Sequence, residues 1–151
     1  MSIEENKAIV YKLFKAAKKN DSILLNELVF PNYINHTRQL QGREEYIQWL
    51  IRHFKTFPDF HVTLEDIVAE RDLVCILMTV RGTHKGESHG IAPTGKKMKV
   101  RSVQIYRIAD GKIVEGWTDF NFFMDQLDFM KNLGAIEYTE IGKKLFPESD
   151  T

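Results

Sequence analysis

A carboxylate two positions after an aromatic residue is the feature of this sequence most able to support chemistry. In Trp117-Thr-Asp119, the alternation of side chains along a strand places Trp117 and Asp119 on the same face. Burial beside an aromatic ring raises the pKa of a carboxyl group towards the range useful for proton transfer. Asp119 is therefore the candidate general acid or base. The alternatives are that Asp119 pairs with Arg101 or caps a helix that begins near Phe122.

The strands on either side of Asp110-Gly111 determine what surrounds Asp119. Asp-Gly between two alternating runs is a strong signal for a two-residue hairpin loop. Residues that oppose each other across such a hairpin share a face, and a face that mixes aromatic rings with polar groups is typical of a pocket lining. A three-residue loop with a bulge at Gly111 would shift the pairs by one and exchange the faces. With the two-residue loop the predicted pairs are Ile108 with Ile113, Tyr106 with Glu115, Gln104 with Trp117, and Ser102 with Asp119.

Further candidates for the pocket precede the hairpin. Trp49 and Phe54 belong to an apolar stripe at helical spacing and are predicted to shape the cavity. Asn35 and His36 lie in a connection from helix to sheet, at the predicted pocket mouth, where His36 is placed to donate to a substrate carbonyl or to form a structural hydrogen bond. His53 lies on the same stripe as Trp49 and is interpreted as a hydrogen-bonded boundary residue.

Composition and motifs exclude several classes of function. The 151 residues contain 21 basic and 21 acidic side chains, so no net charge recruits nucleic acid or an anionic membrane. The single cysteine, Cys75, cannot form an internal disulfide, and the absence of a signal peptide or a long apolar run predicts a cytoplasmic protein. No glycine-rich phosphate loop or Gly-x-Ser-x-Gly motif is present. The five histidines lack metal-ligand spacing, so neither a metal nor a cofactor is predicted.

The order of the predicted elements indicates an α+β domain. A capping box at Ser2 and Glu5 begins a helix over residues 3–19, Asp21 or Ser22 caps a short helix ended by Pro31, and a third helix follows Gly42. Residues 32–36 form a short extended segment. About four strands follow, over residues 60–70, 73–84 and the two arms of the hairpin, before a helix over residues 122–133. We predict one domain over residues 1–151, with its core at about 3–135 and a peripheral tail at 136–151.

Short motifs follow one another in a distinctive order over residues 9–135. They are Tyr33-Ile-Asn-His36, Gly42, Phe57-Pro-Asp59, Gly82-Thr-His-Lys-Gly86, Gly90-Ile-Ala-Pro-Thr-Gly-Lys96, Tyr106-Arg-Ile-Ala-Asp-Gly-Lys-Ile-Val-Glu-Gly-Trp117 and Leu133-Gly134. This ordered series resembles the SnoaL-like polyketide cyclase family. The resemblance implies the nuclear-transport-factor-2-like fold, a cone-shaped α+β barrel in which N-terminal helices pack on a curved, mostly antiparallel sheet around a deep apolar pocket. It also implies homodimers that form through the sheet.

Enzymes of that family close a polyketide ring by intramolecular aldol condensation, without cofactor or metal, and use an aspartate after the tryptophan as acid and base. Counting forward from Trp117 places that aspartate at Asn121, which cannot accept a proton at neutral pH. Counting back from Leu133-Gly134 places it at Asp125. Asp119 aligns with neither count. Because it shares the predicted face of Trp117 and Asn121, it is the candidate to take over the role of the family aspartate.

Three functions follow as hypotheses. The first is a cofactor-independent enzyme that acts on a small hydrophobic carbonyl compound, in which Asp119 moves the proton while His36 and Gln104 orient the carbonyl. The second is a non-catalytic binding protein for such a molecule, and the third is a dimeric scaffold. Predicted substrate contacts are Asn35, Trp49, Phe54, Gln104, Tyr106, Trp117 and Asn121.

Overall fold

The computed structural model describes residues 1–88 and 90–121 together with positions 130, 131, 134, 137, 140 and 144. For residues 118–121 this description covers the backbone. The predicted helix over residues 122–133, which includes Asp125, lies outside the described residues except at positions 130 and 131, and both of those are helical.

Local capping signals determine where the first two helices begin. The backbone N–H of Ser2 donates to the Glu5 carboxylate at 2.6 Å, and the Glu5 N–H donates to Ser2 Oγ at 3.1 Å, which confirms the predicted capping box. Asp21 Oδ1 accepts from the Leu24 N–H at 3.0 Å and caps the second helix. The second helix ends before Val29, whose backbone is extended. The helices are α1 (Ile3–Lys19), α2 (Ser22–Leu28) and α3 (Arg43–Thr56).

Six strands form one sheet, two more than the sequence predicted. The additional pair consists of a strand over Val29–Asn35, which contains Pro31 and lengthens the predicted extended segment at residues 32–36, and its two-residue partner. Pro31 lacks the N–H that a ladder needs, and it lies where the ladder between the first and sixth strands is interrupted, between Val29 and Ile34. The strands are β1 (Val29–Asn35), β2 (Leu40–Gln41), β3 (His61–Glu70), β4 (Leu73–Thr83), β5 (Lys97–Ala109) and β6 (Lys112–Asn121). Their order is β2-β1-β6-β5-β4-β3, and every neighbouring pair is antiparallel except β1 with β6.

One face of this sheet carries the core. On β4, Val74, Ile76 and Met78 are buried and belong to the same cluster as Val10 and Leu13 of α1. On the opposite face the alternate residues of the central strands are more exposed. The helices therefore cover one face of a mostly antiparallel sheet, which confirms the predicted α+β class. Within the described part of the chain, no helix has the length and apolar character needed to span a membrane.

The hairpin of β5 and β6 has the predicted loop but a different register. Asp110 and Gly111 both have positive φ, 49° and 75°, as a two-residue type I′ loop requires. The first predicted pair, Ile108 with Ile113, is present. Irregularities between Arg107 and Ile108 and between Val103 and Ile105 then shift the ladder, because a bulge sets two residues against one. The observed pairs are Tyr106 with Gly116, Ile105 with Trp117, and Ser102 with Asn121, so three of the four predicted pairs are wrong.

Candidate ligand-binding pocket

A cavity of about 670 Å³ lies between the helices α1 and α3 and the inner face of the strands β3, β4 and β5. Cavities of about 300–1,000 Å³ with mainly apolar walls are typical of small-molecule sites. The side chains of the cavity walls belong to the same helices and strands whose other residues form the hydrophobic core. The apolar part of the described lining includes Phe14, Trp49, Leu50, Phe54, Phe57, Phe60, Val62, Leu64, Met78, Val80, Met98 and Val100.

Two neighbouring polar residues of β5 interrupt these apolar walls. Ser102 is 2% exposed, and its hydroxyl has no hydrogen-bond partner within the described part of the chain. Gln104 lies two residues further along the same face and also lines the cavity. Leaving a buried hydroxyl unpaired costs about 1–3 kcal/mol. A ligand acceptor beside Ser102 would recover this energy.

A chain of buried tyrosines fixes the orientation of Gln104. The Tyr106 hydroxyl donates to Gln104 Oε1 at 2.5 Å, and it lies 3.1 Å from the Tyr46 hydroxyl. The Asn35 side-chain amide donates to the Tyr33 hydroxyl at 3.2 Å, and Tyr33 in turn bonds Tyr46. Burial raises the pKa of all three tyrosines well above the usual value, so each phenol stays protonated. Because the Tyr106 hydroxyl holds the Gln104 oxygen on its side, the NH₂ group is the part that can donate to a ligand.

His53 is a neutral imidazole in the wall of the cavity. Its Nδ1 lies 2.9 Å from the Trp49 carbonyl oxygen, and since a carbonyl only accepts, Nδ1 carries the proton. Burial lowers the pKa of His53, and the positive charges of Arg38 and Arg52 lower this pKa further. Nε2 is consequently the nitrogen able to accept a proton. The predicted hydrogen bond is confirmed, but the sequence did not place His53 in the cavity lining.

This state of His53 predicts that stability depends on pH. Since the folded pKa is lowered, the folded protein binds fewer protons than the unfolded chain, so the stabilisation is fully present above the unfolded pKa of about 6.5 and is lost as the pH falls below it. We expect the urea midpoint to decrease between about pH 7.5 and 5.5, and to decrease less in His53→Gln, which stays neutral. The exposed His61→Gln is the matched control. Equal pH slopes in wild type and His53→Gln would contradict the assignment.

The structure separates the residues that the sequence grouped into one pocket. Trp49, Phe54 and Gln104 line the cavity. Tyr106 and Asn35 do not line it; both are 0% exposed and belong to the hydrogen-bonded chain behind Gln104. Tyr106 and Asn35 therefore support Gln104 from behind the cavity wall, which corrects the prediction that they contact a ligand.

His36 and Trp117 lie on the outer face of the sheet, away from the cavity. Their rings stack with centroids 4.9 Å apart, His36 Nε2 is 3.6 Å from the Glu115 carboxylate, and the Arg107 guanidinium lies 5.7 Å from the Trp117 ring centroid. The cause is the bulge in the hairpin, which pairs Trp117 with Ile105 instead of Gln104. The predicted roles of His36 as a carbonyl donor and of Trp117 as a pocket wall are wrong.

A family model described as SnoaL-like polyketide cyclase matches residues 8–133 of the chain. The chain belongs to the SnoaL-like polyketide cyclase family. A comparison with curated proteins found no match.

Solved structures similar to this SnoaL-like chain share its fold over most of their length. AclR, a proposed hydroxylase from Streptomyces galilaeus, is 26% identical with a TM-score of 0.76, and the match covers 90% of this chain and 100% of that one. A proposed SnoaL-like polyketide cyclase from Jannaschia sp. CCS1 is 26% identical with a TM-score of 0.77, covering 91% and 97%. IdmH, a proposed polyketide cyclase from Streptomyces antibioticus, is 28% identical with a TM-score of 0.70, covering 83% and 98%.

The backbone of β6 distinguishes two of the acid/base positions in this SnoaL-like chain. Asn121, and not Asp119, pairs with the pocket-lining Ser102. Residues 118 and 119 fall in the second irregularity of the hairpin, between the pairs Ile105 with Trp117 and Val103 with Phe120. The predicted pair of Ser102 with Asp119 is thus wrong. The side chains of Asp119, Asn121 and Asp125 lie outside the described residues.

Proposed function

We propose that this protein is a cofactor-independent enzyme that carries out general acid/base chemistry on a small, largely apolar carbonyl compound. The observation that carries the proposal is the pair Ser102 and Gln104, two neutral hydrogen-bond donors in an otherwise mainly apolar cavity. Donors placed where negative charge develops on a carbonyl oxygen stabilise the transition state of enolate formation. Membership of the SnoaL-like family supports the same class of reaction.

The proposed step is removal of a proton from the carbon next to the carbonyl. The electron pair of the C–H bond becomes the C=C bond of an enolate, and the carbonyl π pair moves to the oxygen held by Ser102 and Gln104. The proton passes to a base, for which Asp119 is the proposed group and His53 Nε2 the second candidate. The enolate carbon then either regains a proton or attacks a second carbonyl of the same molecule to close a ring.

Deuterium exchange tests the proposal. We expect the protein to accelerate exchange of the C2 protons of 1-phenylbutane-1,3-dione in D₂O, followed by proton NMR. Ser102→Ala should weaken binding of this compound by about two- to tenfold, the usual worth of one neutral hydrogen bond. Thr63→Val removes a hydroxyl from β3 at a position that does not line the cavity, and it should leave binding unchanged. Exchange at the buffer rate despite saturating binding would reject the catalytic proposal.

The second candidate function is binding of the same class of compound without chemistry. The pairing of Asn121 with Ser102 favours it, because an amide does not accept a proton at neutral pH. In that case the ligand raises the melting temperature, gains deuterium no faster than in buffer alone, and binds equally well to the Asp119→Asn variant.

A further inference from the structure

The chain of hydrogen bonds behind Gln104 begins at a backbone amide that fixes its direction. The backbone N–H of Arg38 donates to Asn35 Oδ1 at 2.9 Å. Since a backbone N–H only donates, the oxygen of the Asn35 amide faces Arg38, and the NH₂ group faces the Tyr33 hydroxyl, 3.2 Å away. The Tyr33 oxygen therefore accepts at this contact, and its own proton remains for the next hydroxyl.

The three tyrosine protons can then be assigned in order. Tyr33 bonds Tyr46, and the hydroxyl oxygens of Tyr46 and Tyr106 are 3.1 Å apart. Because a phenol has a single proton, the Tyr33 proton goes to Tyr46 and the Tyr46 proton to Tyr106. The Tyr106 proton then goes to Gln104 Oε1, at 2.5 Å. In the reverse order the Tyr33 proton would have no acceptor in the described part of the chain, because Asn35 offers it an NH₂ group.

We propose that Asn35 determines which ligands the pocket accepts, although it does not touch them. Asn35 is 0% exposed and is not among the described lining residues, so it acts through the tyrosine chain. The chain makes Gln104 a hydrogen-bond donor to the cavity, and the pocket therefore selects molecules whose buried polar group is an acceptor, such as a carbonyl oxygen. This inference rests on the proposed function and adds to it a positioning residue that sets its substrate class.

The chain also strengthens the donor that it presents. A hydroxyl that accepts a hydrogen bond becomes a better donor, and bonds in a buried chain polarise one another. The Tyr106 hydroxyl therefore polarises the Gln104 amide, whose NH₂ group becomes a stronger donor to a ligand. The neighbouring Ser102 hydroxyl can donate or accept, so it adapts to either kind of ligand. Gln104 is consequently the residue that discriminates between an acceptor and a donor.

Three tricyclic probes of nearly the same shape test the inference. The carbonyl of 9-fluorenone accepts a hydrogen bond, the N–H of carbazole donates one, and fluorene does neither. Equilibrium dialysis gives their dissociation constants. We expect the wild-type protein to bind fluorenone about tenfold more tightly than carbazole, because a donor that faces a donor leaves both groups unpaired. The affinity for fluorene reports on the apolar walls alone.

Asn35→Asp should reverse this preference at a pH where infrared spectroscopy shows the new carboxyl group to be ionised. A carboxylate only accepts, so the Tyr33 proton turns towards it and the later hydroxyls follow. Gln104 then donates its NH₂ group to Tyr106 and presents Oε1 to the cavity. We expect carbazole to bind about three- to tenfold more tightly than fluorenone in this state. Protonation at lower pH lets the carboxyl group donate to Tyr33 and should restore the preference for fluorenone, whereas the wild-type preference should stay the same at both pH values.

Tyr106→Phe is a second variant that introduces no buried charge, and it tests the inference even if Asn35→Asp does not fold. It removes the hydroxyl that holds the Gln104 oxygen, so the preference for fluorenone should fall to about twofold or less. Tyr11→Phe removes a hydroxyl from an exposed position of α1, and it should leave the preference unchanged. Binding of fluorene should stay within about twofold in every variant, because the apolar walls are the same.

The outcomes separate this inference from the proposed function. If Tyr106→Phe, or Asn35→Asp with its carboxyl group ionised, keeps the full preference for fluorenone, the role of the chain is overturned while the donor pair of the proposed function stands. If the wild-type protein binds fluorenone and carbazole equally, or binds none of the three probes, the inference and the proposed function fall together. Absence of deuterium exchange would reject catalysis and leave the assignment of specificity intact.

Discussion

Replacing Gly116 by alanine is expected to lower the free energy of unfolding by about 3 kcal/mol, at the upper end of the usual cost of overpacking. A Cβ atom at this position would lie 2.1 Å from the hydroxyl oxygen of Tyr33 and 3.1 Å from its Cζ. Tyr33 has no room to retreat, because it is 0% exposed and its ring packs against Tyr46 with centroids 4.3 Å apart. The measurement is the midpoint and slope of urea unfolding.

Two controls separate the clash from a general intolerance of side chains. In a Tyr33→Phe background, which lacks the oxygen nearest to the new methyl group, Gly116→Ala should cost less than half as much. Gly90→Ala places a Cβ where no atom of the described residues lies within 4 Å, at a backbone φ of 78°, so it should cost only the strain of that conformation, about 1 kcal/mol. An equal cost of Gly116→Ala with and without the Tyr33 hydroxyl would show that the steric explanation is mistaken.

The same glycine shows what the sequence could and could not predict. Signals that act over three or four residues were sufficient for the capping box at Ser2, for the Asp21 cap, and for the Asp110-Gly111 loop. In the observed register beyond the loop, the backbone of β6 at Gly116 lies against Tyr33 of β1, which is a contact between distant segments. A glycine inside a strand does suggest a bulge or a close backbone approach, and it is the signal that could have corrected the pairing.

The first shift of the ladder explains why Trp117 and His36 lie outside the cavity. Once the bulge pairs Trp117 with Ile105, the aromatic ring and its partner His36 belong to the outer face. Gln104, Trp49 and Phe54 are unaffected, because their faces follow from the alternation of β5 and the stripe of α3 and not from the pairing with β6. The place of His53 in the cavity lining is not predictable from the sequence, for a different reason. Helical spacing places it near the core, but only the separation of α3 from the sheet reveals that a cavity lies beside it.

The acid/base hypothesis predicts that Asp119→Asn lowers the rate of proton exchange by about 10²–10⁴, the usual contribution of a positioned acid or base. Asparagine has nearly the same shape but accepts no proton at neutral pH, so binding of the carbonyl compound and the unfolding midpoint should change little. Asp110→Asn is the matched control. It removes the same charge from the hairpin loop, where asparagine tolerates the positive φ of 49°, and exchange should continue at the wild-type rate.

His53→Gln resolves which group takes the proton. If Asp119 is the base, His53→Gln should reduce exchange far less than Asp119→Asn does, because the imidazole then acts only as a neighbour of the bound ligand. If Asp119→Asn retains full exchange and His53→Gln loses it, the proton goes to Nε2 of His53, which the Trp49 carbonyl already holds in the accepting tautomer. The proposed role of Asp119 would then be wrong, while Ser102 and Gln104 would still serve as the donors to the enolate oxygen.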